Sequence, residues 1–154
     1  MAKSYYSTVF EQAADEVWRI IRDFNNYPVW VDGAGESAIE DGKTGDTIGA
    51  VRNVLYNGSR RRQKLLALSD IERAQTYAFE GVAPMPVWNF QATIRVTPVV
   101  DGNRAFIEWF ATFDCDPEGQ DERIAFFRDA FAGWLASLRR HLDSVKQPSP
   151  SRAA

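Results

Sequence analysis

DERIAFFRDAFAGWLASLRRHLDSV, residues 121–145, decides how the rest of the chain is read. Ile124, Phe127, Phe131, Leu135, Leu138 and Leu142 recur at intervals of three and four, which places them on one apolar stripe of a helix with 3.6 residues per turn. Asp121 and Glu122 put negative charge in the first turn, and Arg139, Arg140 and His141 put positive charge in the last, both favourable with the helix dipole. Such a stripe needs a broad apolar partner. The segment before it supplies one, because from about residue 47 to residue 114 the pattern is that of strands.

The clearest of these strands is 88–96, where Trp88, Phe90, Ala92, Ile94 and Val96 alternate with polar residues and predict one apolar and one polar face. Residues 105–114 repeat the pattern with Ile107, Trp109, Ala111 and Phe113 on the inner face, leaving Phe106, Glu108 and Phe110 outside. Upstream, residues 47–56 and 60–68 flank Asn57-Gly58, a hairpin signal, and residues 75–80 form a further strand. Residues 81–86, GVAPMP, form a loop, since its two prolines lack the amide donors a ladder needs. Before this run come a strand at 4–11, a short helix carrying Val17, Ile20, Ile21 and Phe24, a second short helix or turn at 27–31, and a weak strand at 36–40. An antiparallel sheet with helices on one face is an α+β architecture.

The chain of 154 residues predicts one domain over 1–146 and a disordered tail over 147–154, where prolines and small polar residues gather. Eighteen Lys and Arg against 21 Asp and Glu give a net charge of −3, which argues against nucleic acid as a partner. The single cysteine, Cys115, rules out an internal disulfide. No apolar run reaches the ~20 residues of a membrane helix, and no leader precedes Tyr5, so a cytoplasmic location is expected. No residue cluster calls for a metal or cofactor. Ala92 between Phe90 and Ile94, and Ala111 between Trp109 and Phe113, suit either dense interdigitation or an apolar hollow under a curved sheet.

Several short motifs then stand together in one order: Phe24-Asn25-Asn26-Tyr27-Pro28-Val29-Trp30, Gly49-Ala50-Val51-Arg52, Lys64-Leu65-Leu66-Ala67-Leu68-Ser69-Asp70, Pro86-Val87-Trp88-Asn89-Phe90, and Ile107-Glu108-Trp109 through Phe113-Asp114. In that combination, over about residues 3–145, the chain resembles the START-related polyketide cyclase and lipid-transport superfamily. The resemblance implies a helix-grip fold: a seven-stranded curved antiparallel sheet round the long C-terminal helix, two short helices after the first strand, and a ligand cavity between the layers. It points to Trp30, Arg52, Gln63, Leu65, Tyr77, Val87, Phe90, Ala92, Trp109, Phe127, Phe131 and Leu135 as cavity residues. It also matches the 56–59 turn and the 81–86 loop to the two segments that close over ligand in the plant abscisic acid receptors. The small apolar residues with which those receptors recruit a phosphatase are missing here. Many relatives carry a glutamate where Gln63 stands, so a charge pair with an arginine such as Arg52 is absent from this chain.

Individual polar residues keep two readings each. Arg52 either reaches inward to bind a ligand carboxylate or phenolate, or points into water. Gln63 orients a ligand hydroxyl or carbonyl, or is merely exposed. Tyr77 is a donor to ligand, or a packed ring with one polar partner. His141, the only histidine, fits a dipole-compensating surface role better than that of a general base. The run Arg60-Arg61-Arg62 reads as a solvated strand end and Gly133 as a helix glycine costing ~1 kcal/mol relative to alanine.

The expected function is therefore binding or transport of a small hydrophobic ligand, aromatic, polyketide-like or isoprenoid, by a monomer or homodimer. An enzyme of the cyclase, aromatase or dehydratase kind is the first alternative, for which Tyr77, Arg52 and Gln63 are the available groups and none is a convincing base. A chaperone-stimulating interaction module is the second; it requires an exposed apolar patch, to which Phe106 and Phe110 could contribute.

Overall fold

In chain order the elements are β1 (Ala2–Phe10), α1 (Ala14–Ile21), α2 (Tyr27–Trp30), β2 (Ala34–Ile39), β3 (Val51–Tyr56), β4 (Ser59–Ser69), β5 (Ala74–Phe79), β6 (Trp88–Val99), β7 (Arg104–Asp114) and α3 (Gln120–Lys146). They come from a computed structural model that describes residues 1–146; the tail expected at 147–154 lies outside the described residues. The seven strands form one antiparallel sheet in the order β1-β7-β6-β5-β4-β3-β2. Strands β2 to β7 are a meander, and α1 and α2 carry the chain from one edge of the sheet to the other.

Alternation puts Phe90, Ala92, Ile94 and Val96 of β6 and Ile107, Trp109, Ala111 and Phe113 of β7 on the buried face. The α3 stripe covers that face with Phe127, Phe131, Leu135, Leu138 and Leu142, all buried, while Ile124 is half-buried. Helix α3 lies along β1 and β7 and touches α2. It is tied down by polar contacts as well: the Ser4 hydroxyl donates to the Ile124 carbonyl, and the Ser137 hydroxyl donates to the Trp30 carbonyl at 2.6 Å.

Curvature comes from single extra residues. Between Leu65 and Ala67 β4 advances two residues while β5 advances one, and between Trp88 and Gln91 β6 advances three while β7 advances two. Each is a bulge, which bends the strand and sharpens its twist. At the second, Asn89 takes φ 52°, and its side-chain amide donates to Asp114 at 2.8 Å. This corrects the expected face of Trp88. An uninterrupted strand would turn Trp88 inward with Phe90, whereas the bulge turns it out, 49% exposed. The strand expected from residue 47 begins only at Val51, because residues 47–50 turn, with the Ala50 amide donating to the Thr47 carbonyl at 3.0 Å. The Asn57-Gly58 hairpin is as expected, with φ of 47° and 83° at the two positions that a type I′ turn places in the left-handed region. On the outer face Phe110 is not bare: Tyr5 of β1 stacks on it at 6.2 Å, and the Lys3 ammonium lies 5.0 Å above its ring.

Candidate ligand-binding site

Sheet and helix meet over β7 and part over β3 to β5. At the meeting place Trp109 stacks on Phe131, rings 5.0 Å apart and 9° from parallel, and Phe90 and Phe113 pack on Phe127 at 5.0 and 5.1 Å. Beyond them a cavity of about 390 Å³ remains. Its walls are Tyr56, Asn57, Arg61 and Gln63 from β3, β4 and their turn, Tyr77 and Phe79 from β5, Met85 from the 81–87 loop, Phe90 from β6, and Phe126, Phe127, Asp129, Ala130, Phe131 and Trp134 from α3. The volume lies within the ~300 to 1,000 Å³ of small-molecule pockets, and aromatic walls with few polar groups are typical of them. A larger hollow of about 520 Å³ lies on the β2 edge, but Glu36, Glu40, Asn53 and Arg60 line it and it has no aromatic wall.

Of the twelve residues that the resemblance nominates, Gln63, Tyr77, Phe90, Phe127 and Phe131 face this cavity. Val87 instead lines a neighbouring hollow of about 430 Å³ that shares Phe79 and Phe90 with it. Trp30, Leu65, Ala92, Trp109 and Leu135 are buried in the core and do not line the cavity, since the aromatic stack at Trp109 and Phe131 seals that end. Arg52 is likewise behind the wall. It points inward, is fully buried, and its guanidinium lies between the rings of Phe24 and Tyr27, 3.9 and 3.6 Å from their centroids. Its Nε donates to Gln63 Oε1 at 3.1 Å, its Nη2 donates to the same oxygen, and its Nη1 donates to the Phe24 carbonyl at 2.8 Å. Arg52 and Gln63 thus face each other, guanidinium to amide, with no charge pair between them.

Sequence reasoning passed over the α3 row Phe126, Ala130 and Trp134. These residues repeat every four positions beside the main stripe, and Trp134 stands three after Phe131 and four before Leu138, so the signal was present. Trp134 Nε1 donates to the Tyr56 hydroxyl at 2.9 Å, with the two rings edge to face at 5.7 Å. That contact bridges the helix to the β3–β4 hairpin and closes one flank of the cavity.

The polar groups of the site are few. The Tyr77 hydroxyl accepts from Trp109 Nε1 at 3.2 Å. Burial pushes its phenol well above the usual range, neighbouring Tyr27 adds to the shift, and the Arg52 charge opposes it. Tyr77 is thus a neutral donor at ordinary pH rather than a base. Burial pulls the Arg61 guanidinium down from its ordinary value. It sits 4.7 Å over the Tyr56 ring, and its Nε is buried without a hydrogen-bond partner among the described residues. Asp129, at the rim, is exposed and pairs with Arg128 at 3.8 Å. Glu80 and Glu108 are on the outer face, Glu80 near Lys64 at 3.8 Å and Glu108 accepting from the Tyr5 hydroxyl at 2.7 Å. Among the described residues no group of His, Cys, Asp and Glu side chains is placed to hold a metal, and no helix is long and apolar enough to cross a membrane.

No curated protein matches the chain. Solved structures do. The protein XoxI from Bacillus cereus is 27% identical, with 96% of this chain and 100% of that one covered and a TM-score of 0.82. The di-domain ARO/CYC BexL of the BE-7585A biosynthetic pathway is 17% identical, with a TM-score of 0.81 over 96% of this chain and 48% of that one. Norcoclaurine synthase from Thalictrum, 13% identical with a TM-score of 0.74 over 94% of this chain and 96% of that one, shares the fold. The family described as polyketide cyclase / dehydrase and lipid transport matches residues 1–147, the whole length over which sheet, gripping helix and cavity have just been traced, and the chain belongs to it.

Proposed function

We propose that this protein binds and carries a small, mainly apolar molecule, aromatic, polyketide-like or isoprenoid, as a cytoplasmic monomer or homodimer. One observation carries the reading: the sheet curves away from α3 beyond the Trp109–Phe131 stack and leaves about 390 Å³ walled by Phe79, Phe90, Phe127, Phe131 and Trp134. Burying ~200 Å² of apolar ligand surface there contributes on the order of 5 kcal/mol before the cost of immobilising the ligand. Binding is favoured over cyclase chemistry by the titratable groups of the wall. Tyr77 keeps its proton, Gln63 does not titrate, and Asp129 is out at the rim.

The test is calorimetric titration with a neutral bicyclic aromatic, 2-ethylnaphthalene, together with native mass spectrometry of protein purified from its own host. Saturable binding, lost in Ala130→Trp while the melting temperature holds, is the expected result. A chain that binds equally well with the cavity filled by that tryptophan would sink the reading.

A further inference from the structure

Inside the rim, where Asn57 and the exposed Asp129 stand, the polar groups that β4 turns to the cavity offer donors. Gln63 Oε1 accepts from two nitrogens of Arg52, and an arginine side chain has no acceptor to offer. The Gln63 amide is therefore locked in one orientation, with its oxygen toward Arg52 and its NH₂ turned away from it. Gln63 also lines the cavity, and among the described residues its Nε2 makes no hydrogen bond to protein. What it presents to a ligand is a donor. Two residues along β4, and so on the same face, stands Arg61, which also lines the cavity and whose buried Nε lacks a partner among the described residues. Across from them the Tyr77 hydroxyl accepts from Trp109 and keeps its proton, so it brings no negative charge to the wall.

The field has the same sign as the donors. Arg52, fully buried directly behind Gln63, is held by an amide, a carbonyl and aromatic faces, and none of the ion pairs among the described residues includes it or Arg61. Two guanidinium charges thus bear on one end of the chamber, while the facing helix wall is Phe127, Ala130 and Phe131, with its one carboxylate, Asp129, exposed at the rim and paired with Arg128.

We propose that the ligand is an amphiphile with an oxyanion head, a carboxylate or an acidic phenol, seated on the Gln63 amide and the Arg61 guanidinium, and an aromatic body against Phe90, Phe127 and Phe131. This rests on the cavity being a ligand site. The charge-assisted bonds to the head give orientation, and the rings give the bulk of the affinity.

Three probes sharing one ring system separate the two claims: 2-naphthoate, 2-ethylnaphthalene and 2-naphthylmethylammonium, titrated calorimetrically at neutral pH. Naphthoate is expected to bind about tenfold or more tighter than the neutral hydrocarbon, with the ammonium weakest. Arg61→Met keeps the stem over Tyr56 and removes the charge; Gln63→Glu keeps an acceptor for Arg52 and removes the donors. Each is expected to cut the preference for naphthoate over 2-ethylnaphthalene about tenfold. If the hydrocarbon binds as tightly as naphthoate in the unaltered protein, or if both variants keep the naphthoate preference, the oxyanion head is wrong and the apolar site survives. If none of the three binds, the ligand site itself is wrong and this inference falls with it.

Discussion

The two halves of the sheet face the same helix and treat it differently. Over β1 and β7 the layers are in contact, ring upon ring, with the Trp109 indole N–H satisfied by Tyr77. Over β3 to β5 they stand apart, and one flank is spanned by a single side-chain bridge from Trp134 to Tyr56. Both halves are built from aromatic residues, so composition does not separate them. Geometry does: bulges at Leu66 and Asn89 bend β4 and β6, and a bent sheet cannot lie against a straight helix along its whole width. One half supplies stability and the other supplies space.

Substitutions should therefore separate cleanly by half. The largest effect is expected for Trp109→Ala, which empties the contact half and should cost about 3–5 kcal/mol in urea unfolding. A loss under about 1 kcal/mol would mean that the stack is not what holds the layers together. Next comes Arg52→Ala, which strands Gln63 Oε1 and the Phe24 carbonyl and empties the slot between Phe24 and Tyr27; about 3 kcal/mol is expected from the same measurement.

Alkali should act on the seam between the halves. The folded-state pKa of Tyr77 is raised, so the folded chain holds this proton more tightly than the unfolded chain. Its contribution is fully present below the unfolded value of about 10 and is lost as pH rises from there through the folded value, by up to about 1.4 kcal/mol per pH unit. Comparing unfolding curves for the unaltered protein and Tyr77→Phe from pH 8 to pH 11 checks the sign: the steep fall above about pH 10 should weaken in the variant. The smallest effect on stability is expected at the open half. Phe126→Ala, at a rim position 47% exposed, should change unfolding by less than about 1 kcal/mol while weakening 2-ethylnaphthalene binding severalfold. If it destabilises the chain as strongly as Trp109→Ala, the division into a supporting half and a binding half is wrong.

Those two halves were also unequally legible in the sequence. The contact half follows from periodicity alone, since Ile94, Val96, Ile107 and Trp109 alternate and Phe127, Phe131 and Leu138 recur at helical spacing. The open half depends on curvature, and a one-residue bulge leaves no mark on an alternating pattern. Trp88 shows this directly, because its place in the alternation says inward and the extra residue at Asn89 turns it out. The resemblance to a helix-grip family supplied the cavity that periodicity could not. It does not fix which side of the wall each residue occupies, and so it groups Arg52 and Trp109 with Gln63 and Phe131, although they lie behind them. Whether an arginine in a strand of mixed character points in or out was likewise open. The aromatic slot that admits Arg52 is built by Phe24 and Tyr27, from the segment after α1, which no local pattern connects to β3.

The contact between Arg52 and Gln63 has a consequence for descent. Glutamine and glutamate codons differ at their first base alone, so one nucleotide change would replace the amide by a carboxylate in reach of the same guanidinium. The neighbouring chamber would lose its donor and part of its positive field together. On the oxyanion reading proposed above, one such step would exchange one class of ligand for another, and sister chains differing at position 63 should part in what they bind before they part in shape.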